Sequence, residues 1–90
     1  MSLVKIHIFG LVQGIFLRRD ISQKAKELGA VGYVCNLDDG SVYVEAQAER
    51  SKLQEMIKWL KNSPGRSEVK EVKIEWDDDK IGATGFEIRY

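Results

Sequence analysis

Val31-Gly32-Tyr33-Val34-Cys35-Asn36-Leu37-Asp38-Asp39-Gly40-Ser41-Val42-Tyr43-Val44-Glu45-Ala46 sets two strand patterns on either side of an acidic turn. Val31, Tyr33 and Val34 make its first part β-rich, through Asn36. Its last part alternates Val42, Val44 and Ala46 against Ser41, Tyr43 and Glu45, the period of a half-buried strand. Between them lies Leu37-Asp38-Asp39-Gly40. Asp-Gly between two strand patterns signals a hairpin, because a tight turn needs positive φ where Gly is free and Asp tolerable. The two strands are therefore expected to pair antiparallel.

Working outward, each flank carries a helix pattern. Upstream, Ile21, Ala25 and Leu28 recur at helical spacing with Lys24, Lys26 and Glu27 between them, and Gly29 is the expected stop. Downstream, Leu53, Met56, Ile57 and Leu60 form an apolar stripe, with Lys52, Glu55, Lys58 and Lys61 on the wet side. Ser63-Pro64-Gly65 ends that helix. Further out, Val4, Ile6 and Ile8 alternate with Lys5, His7 and Phe9 up to Gly10. Val69, Val72, Ile74 and Trp76 read as a strand whose phase slips once, as a bulge or a late start would make it. Asp77-Asp78-Asp79-Lys80 reads as a solvated turn, and Phe86, Ile88 and Tyr90 as a last short strand. The order is β-α-β-β-α-β with a short extra C-terminal strand. Two helices separated by a hairpin predict an α+β, ferredoxin-like split βαβ sandwich, both helices on one face of an antiparallel sheet.

Ninety residues are expected to form one domain, 1–90, with one core and no deep cavity. Hydrophobic residues make up 43% and charged residues 31%, the balance of a soluble globular protein. Basic and acidic residues number 14 each, which argues against nucleic acid or an anionic membrane as a partner held by bulk charge. One cysteine cannot form an internal disulfide, and neither a membrane span nor a signal-peptide pattern is seen. The expected compartment is the cytoplasm and the expected state a monomer. Met1-Ser2-Leu3 are given no weight.

Gly10-Leu11-Val12-Gln13-Gly14-Ile15-Phe16-Leu17-Arg18 carries the chemistry. A strand here runs into a glycine-bracketed loop and ends on an arginine that opens a helical pattern. Helix N-termini and successive backbone amides both attract anions. Arginine adds five fixed donors suited to phosphate or carboxylate. The loop reads as an anion cradle.

The same nine residues resemble the acylphosphatase signature G-x-V-Q-G-V-x-F-R. Gly32-Tyr33-Val34-Cys35-Asn36-Leu37-Asp38-Asp39-Gly40-Ser41-Val42 resembles that family's second signature, G-x-V-x-N-x-x-D-G-[ST]-V. The likeness continues through Trp59-Leu60, Ser63-Pro64-Gly65 and Gly85-Phe86-Glu87-Ile88. Ile15 stands for the usual valine and Leu17 for the usual phenylalanine. Both remain apolar, so anion binding is expected to persist, with a small packing gap near the cradle at Leu17.

The resemblance implies hydrolysis of the carboxyl–phosphate bond of acyl phosphates to a carboxylate and inorganic phosphate, with no metal and no cofactor. Phosphate is then both product and inhibitor. A carboxylate leaves readily, and phosphoryl transfer depends mainly on positioning and charge neutralisation. The expected phosphate-binding residues are Gln13, Gly14, Ile15, Phe16, Leu17 and Arg18, through their backbone N–H groups and the Arg18 side chain. Arg18 and Asn36 are the expected catalytic pair, Asn36 orienting the attacking water. The substrate's own phosphate then takes the water's proton. The rival reading is a non-catalytic anion-binding module of the same fold.

Outside those motifs the plainer readings lead. Arg19 is expected in solvent, since neighbouring helix positions point about 100° apart. Asp38 and Asp39 are turn formers, and His7 is a surface or half-buried strand residue. Cys35 is read as a buried, inert thiol. One His and one Cys supply no metal-ligand cluster. Lys52, Lys58, Lys61 and Arg66 form at most a mild basic patch. Phe9, Tyr33 and Tyr43 read as scattered, which disfavours an RNA-stacking sheet.

Overall fold

The structure is a computed structural model that describes every residue except Ser63, Arg66, Asp79, Lys80 and Tyr90, with only the backbone of Ile15. Its elements run β1 (Ser2–Leu11), α1 (Ile15–Glu27), β2 (Val31–Asn36), β3 (Val42–Ala48), α2 (Arg50–Lys61), β4 (Glu68–Asp77) and β5 (Phe86–Arg89). The strands form one five-stranded sheet ordered β4-β1-β3-β2-β5. Because β1 and β3 are the central strands, both hairpin strands and both flanking strands share one sheet, as the ferredoxin-like reading requires.

The expected antiparallel pairing holds for β1 with β3, β1 with β4, and β2 with β3. It fails for β5, which runs parallel to β2, so the sheet is mixed. β4 and β5 run in opposite directions at opposite edges of the sheet, and β5 lies beside β2, whose direction it shares, rather than beside β4.

One face of the sheet carries the core. Val4, Ile6 and Ile8 of β1, Val34 of β2, and Val42, Val44 and Ala46 of β3 are buried there against Leu17, Ile21 and Ala25 of α1 and Leu53, Met56, Ile57 and Leu60 of α2. Period-2 strand residues meet period-3.6 helix residues across a single layer, which explains why both patterns were readable.

Several boundaries moved. Ser2 and Leu3 belong to β1, and the strand runs past Gly10 to Leu11. The phase slip in β4 is a bulge: Phe9 faces Glu71 but Gly10 faces Val69, leaving Lys70 extra. Gly10 has φ 134°, and a Cβ there would lie 2.1 Å from the Glu68 carbonyl oxygen. This glycine therefore serves the close approach of β4 and not a turn. Asp77 closes β4 rather than opening a turn. Ser63 of the helix break, Asp79 and Lys80 of the acidic turn, Arg66 of the basic patch and Tyr90 of the last strand lie outside the described residues.

Candidate active site

The nine-residue loop ends one strand and starts one helix earlier than Arg18. Helix α1 begins at Ile15, with Gly14 at its N-cap in an extended, positive-φ conformation (φ 118°, ψ 163°). No side chain caps it, and its first turn holds no acid. The first N–H groups of any helix lack intrahelical acceptors and carry the positive end of its dipole. Among the described residues no side-chain oxygen caps them and no acid stands in that turn to compete for them. A Cβ on Gly14 would meet nothing within 4 Å, so this glycine faces open space while its backbone takes a conformation that side chains rarely adopt.

The arginine pair separates as helical geometry dictates. Arg18 is 8% exposed and turned inward, its Nη1 donating to the Arg89 carbonyl of β5 at 3.4 Å. Arg19 is exposed, its guanidinium 5.1 Å from the centre of the Phe16 ring. Leu17, one position before Arg18, is 4% exposed and packs within the core that carries the loop.

Asn36 is the last residue of β2 and shares the helix-facing side with Val34. Its Oδ1 is buried and has no hydrogen-bond partner among the described residues. Buried polar atoms are nearly always paired, which sets this acceptor apart. Ile8 of β1 and Asn36 both face Val42, which puts the strand ends leading to the cradle and to Asn36 at the same end of the sheet.

A direct link spans the two motifs. Gln13 Nε2 donates to the Leu37 carbonyl at 2.7 Å and to the Ser41 carbonyl at 3.2 Å. The Gln13 side chain thus ties the cradle to the turn that follows Asn36. Ser41 is held in turn. Its hydroxyl donates to Asp39 Oδ1, its N–H donates to the same oxygen at 2.9 Å, and His7 Nε2 lies 2.7 Å from its Oγ. With the hydroxyl proton on Asp39, the His7 ring nitrogen is the donor. These bonds, Ser41's hydroxyl first and then its amide, hold the Asp39 carboxyl below the usual range. Asp39 is the turn former that the sequence implied. The clamp through Gln13 and the chain from His7 to Asp39 were not read there, since each bond joins residues far apart in sequence.

Two further readings change. Cys35 is half-buried on the helix-free face rather than sealed in the core. Phe9, Tyr33 and Tyr43 are not scattered: with His7 they line up across that face, Phe9 and His7 with centroids 4.3 Å apart, His7 and Tyr43 6.2 Å, Tyr33 and Tyr43 6.1 Å. Glu45 accepts from the Tyr43 hydroxyl at 2.7 Å, and burial first, then this bond, pushes that phenol well up. The row carries both signs of charge: Glu45 beside Tyr43, the Arg89 guanidinium 3.8 Å from the Tyr33 ring centre and the Lys73 ammonium 5.3 Å from that of Phe9. A cleft of about 700 Å³ opens between the segment from Ile81 to Gly85 and the sheet, but none of residues 13–18 nor Asn36 lines it. Among the described residues no group of three or more His, Cys, Asp or Glu is placed to hold a metal ion, and no helix is long and apolar enough to cross a membrane.

Comparison with known proteins agrees with this geometry along nearly the whole chain. The acylphosphatase family model matches residues 4–88. An acylphosphatase from Rubrobacter xylanophilus is 35% identical over 86 residues, covering 96% of this chain and 78% of that protein. One from Acaryochloris marina is 40% identical over 86 residues, covering 94% and 90%. The crystal structure of acylphosphatase from Bacillus subtilis superposes with a TM-score of 0.94 at 29% identity, covering all of both chains. A match of this extent, in sequence and in architecture, makes the chain a member of the acylphosphatase family, a family of hydrolases.

Proposed function

We propose that residues 1–90 act as one acylphosphatase domain that hydrolyses acyl phosphates to a carboxylate and inorganic phosphate. The observation that carries the site assignment is the uncapped, acid-free start of α1 with inward-turned Arg18 in the same stretch. The N–H groups of Gln13, Gly14, Ile15, Phe16, Leu17 and Arg18 ring the equatorial oxygens of the phosphoryl group, and the Arg18 guanidinium supplies the balancing charge. Asn36 Oδ1, the buried acceptor, takes a hydrogen bond from the attacking water and so fixes its lone pair toward phosphorus.

The water oxygen forms a bond to phosphorus while the bond from phosphorus to the carboxyl oxygen breaks. The carboxylate departs with the bonding pair and needs no acid. The proton of the water passes to a phosphoryl oxygen of the substrate itself. Positioning and charge neutralisation then supply most of the rate. Asp39 lies in the same turn region but is committed to Ser41, which keeps its carboxylate occupied.

The proposal extends to a monomer in the cytoplasm that uses no nucleic acid or membrane. Its support is the balanced charge of the chain. The test is hydrolysis of benzoyl phosphate in excess chelator by wild type, Arg18→Ala and Asn36→Ala side by side. Turnover that falls at least about 10²-fold in each variant, with the variants folded, is expected, the size of losing one preorganised donor. Inorganic phosphate should inhibit competitively. Phosphate binding with no turnover of any acyl phosphate would make the protein an anion-binding module instead.

A further inference from the structure

We propose that Leu11 and Phe16 form an apolar rim that receives the acyl group, so that the enzyme selects acyl phosphates with an apolar, best an aromatic, acyl part. This rests on the cradle reading above and adds the substrate class to it. Among the described residues the large apolar side chains left exposed are Met1, Leu11 and Phe16. Met1 precedes β1 at the opposite end of the sheet. The other two bracket the cradle: Leu11, 68% exposed, closes β1, and Phe16, 52% exposed, stands in the first turn of α1. An exposed leucine by itself carries no message, but two large side chains confined to the two shoulders of one anion site do.

The direction of Phe16 follows from helix geometry. Cα–Cβ bonds tilt toward a helix N-terminus, and long side chains lie over the turn before their own Cα. For a residue in the first turn, that turn is the cradle itself. Arg19, one turn on, sets its guanidinium 5.1 Å from the Phe16 ring centre and restrains the ring from the far side. Leu11 reaches the mouth from the strand side, held by the buried Val12 beside it.

The chemistry of a bound acyl phosphate supplies the rest. The amides take the equatorial phosphoryl oxygens, so the bridging oxygen and the acyl carbon behind it leave the cradle through its mouth. A methyl or amino group there touches little of either side chain. A phenyl ring or longer alkyl chain covers both, and aromatic pairs gain beyond the area that they bury. Specificity for an apolar group on one face of a site is modest, about tenfold where an enclosed pocket gives more.

The test compares kcat/KM for benzoyl phosphate with kcat/KM for acetyl phosphate in wild type, Phe16→Ala, Leu11→Ser and Phe16→Leu. Any loss shared by both substrates cancels in that ratio. The expected result is a ratio lowered about five- to tenfold in Phe16→Ala and less in Leu11→Ser, with Phe16→Leu recovering part of it. A ratio within about twofold of wild type in both Phe16→Ala and Leu11→Ser, with acyl phosphates still turned over, would overturn the rim and leave the cradle reading standing. Absence of turnover in wild type on either substrate would overturn the cradle reading, and the rim with it.

Discussion

Gln13 and Leu37 are joined across 24 positions of sequence by one side-chain bond, Nε2 to carbonyl at 2.7 Å, and this bond fixes the cradle relative to the turn after Asn36. The two motifs of the family meet through it. In the reaction proposed above, a phosphoryl group held by the loop and a water held by Asn36 must be in line, and displacement of about 1 Å can cost about 10²-fold in rate. Gln13→Ala removes two donated bonds at once, because the same amide also reaches the Ser41 carbonyl. The expected outcome is a kcat loss of about 10-fold or more with KM changed less, since the anion's amides remain. Loss of such bonds also costs about 1 kcal/mol, or roughly 4–8 °C in Tm for a chain of this size. Steady-state kinetics beside a thermal melt would separate the two effects, and an unchanged kcat would show that the clamp is structural only.

Asn36 offers a sharper separation. Its Oδ1 is buried and unpartnered among the described residues, a desolvated acceptor that adds nothing to stability through them. Replacing a buried, unsatisfied polar group with an apolar one is close to neutral and can stabilise. Asn36→Ala should therefore melt at or slightly above the wild-type temperature while losing about 10²- to 10³-fold in turnover. A variant that lost several degrees of Tm and kept its activity would reverse the assignment.

The two glycines that frame the loop should respond to different degrees. Gly10 meets the Glu68 carbonyl oxygen, and any side chain there must push β4 away. Gly10→Ala adds that clash to a disfavoured φ, and a destabilisation of about 3 kcal/mol or more is expected, read by denaturant unfolding. Gly14 has the positive φ without the neighbour. Gly14→Ala should cost only the backbone strain, about 1–3 kcal/mol, and its larger effect should be on phosphate affinity as the loop relaxes. Equal losses of stability in the two variants would mean that the close approach at Gly10 is unimportant.

These contrasts also mark where sequence was legible. The Asp-Gly hairpin between two amphipathic stripes determined the sheet core and the helix layer, because those features follow from local periods of 2 and 3.6. The motif frame picked out Arg18, and the helical angle then turned Arg19 away from it. What could not be read was set by contacts between distant segments. Gly10 looked like a turn glycine, since nothing local announces that Glu68 passes behind it. The parallel pairing of β5 depended on which edge of the sheet it joins, not on the composition of Phe86-Glu87-Ile88. Phe9, Tyr33 and Tyr43 looked scattered along the chain and became one row only when β1, β2 and β3 were placed side by side. Asn36 was legible as a residue in a motif, but its orphaned oxygen is a fact of packing.

Asp39 gives a prediction in pH. Its carboxylate accepts from the Ser41 hydroxyl and amide, and these bonds, ahead of the nearby His7 charge, hold its folded-state pKa below the usual value. A carboxyl whose pKa is lower folded than unfolded binds fewer protons in the native state. Its contribution is therefore complete above the unfolded value, about 3.9, and is lost as pH falls through the lower, folded value. Asp39→Asn keeps a carbonyl acceptor but removes the charge, and with it the titration. Wild type should exceed the variant in stability at pH 7, and the gap should narrow steadily below about pH 4. Denaturant midpoints of both proteins from pH 7 down to pH 2 measure this directly. Because Ser41 also supplies a carbonyl to Gln13, the variant should lose some turnover at pH 7 as well, and less than Gln13→Ala does. A stability gap that stays constant into acid would show that the turn is held by shape and not by the carboxylate charge.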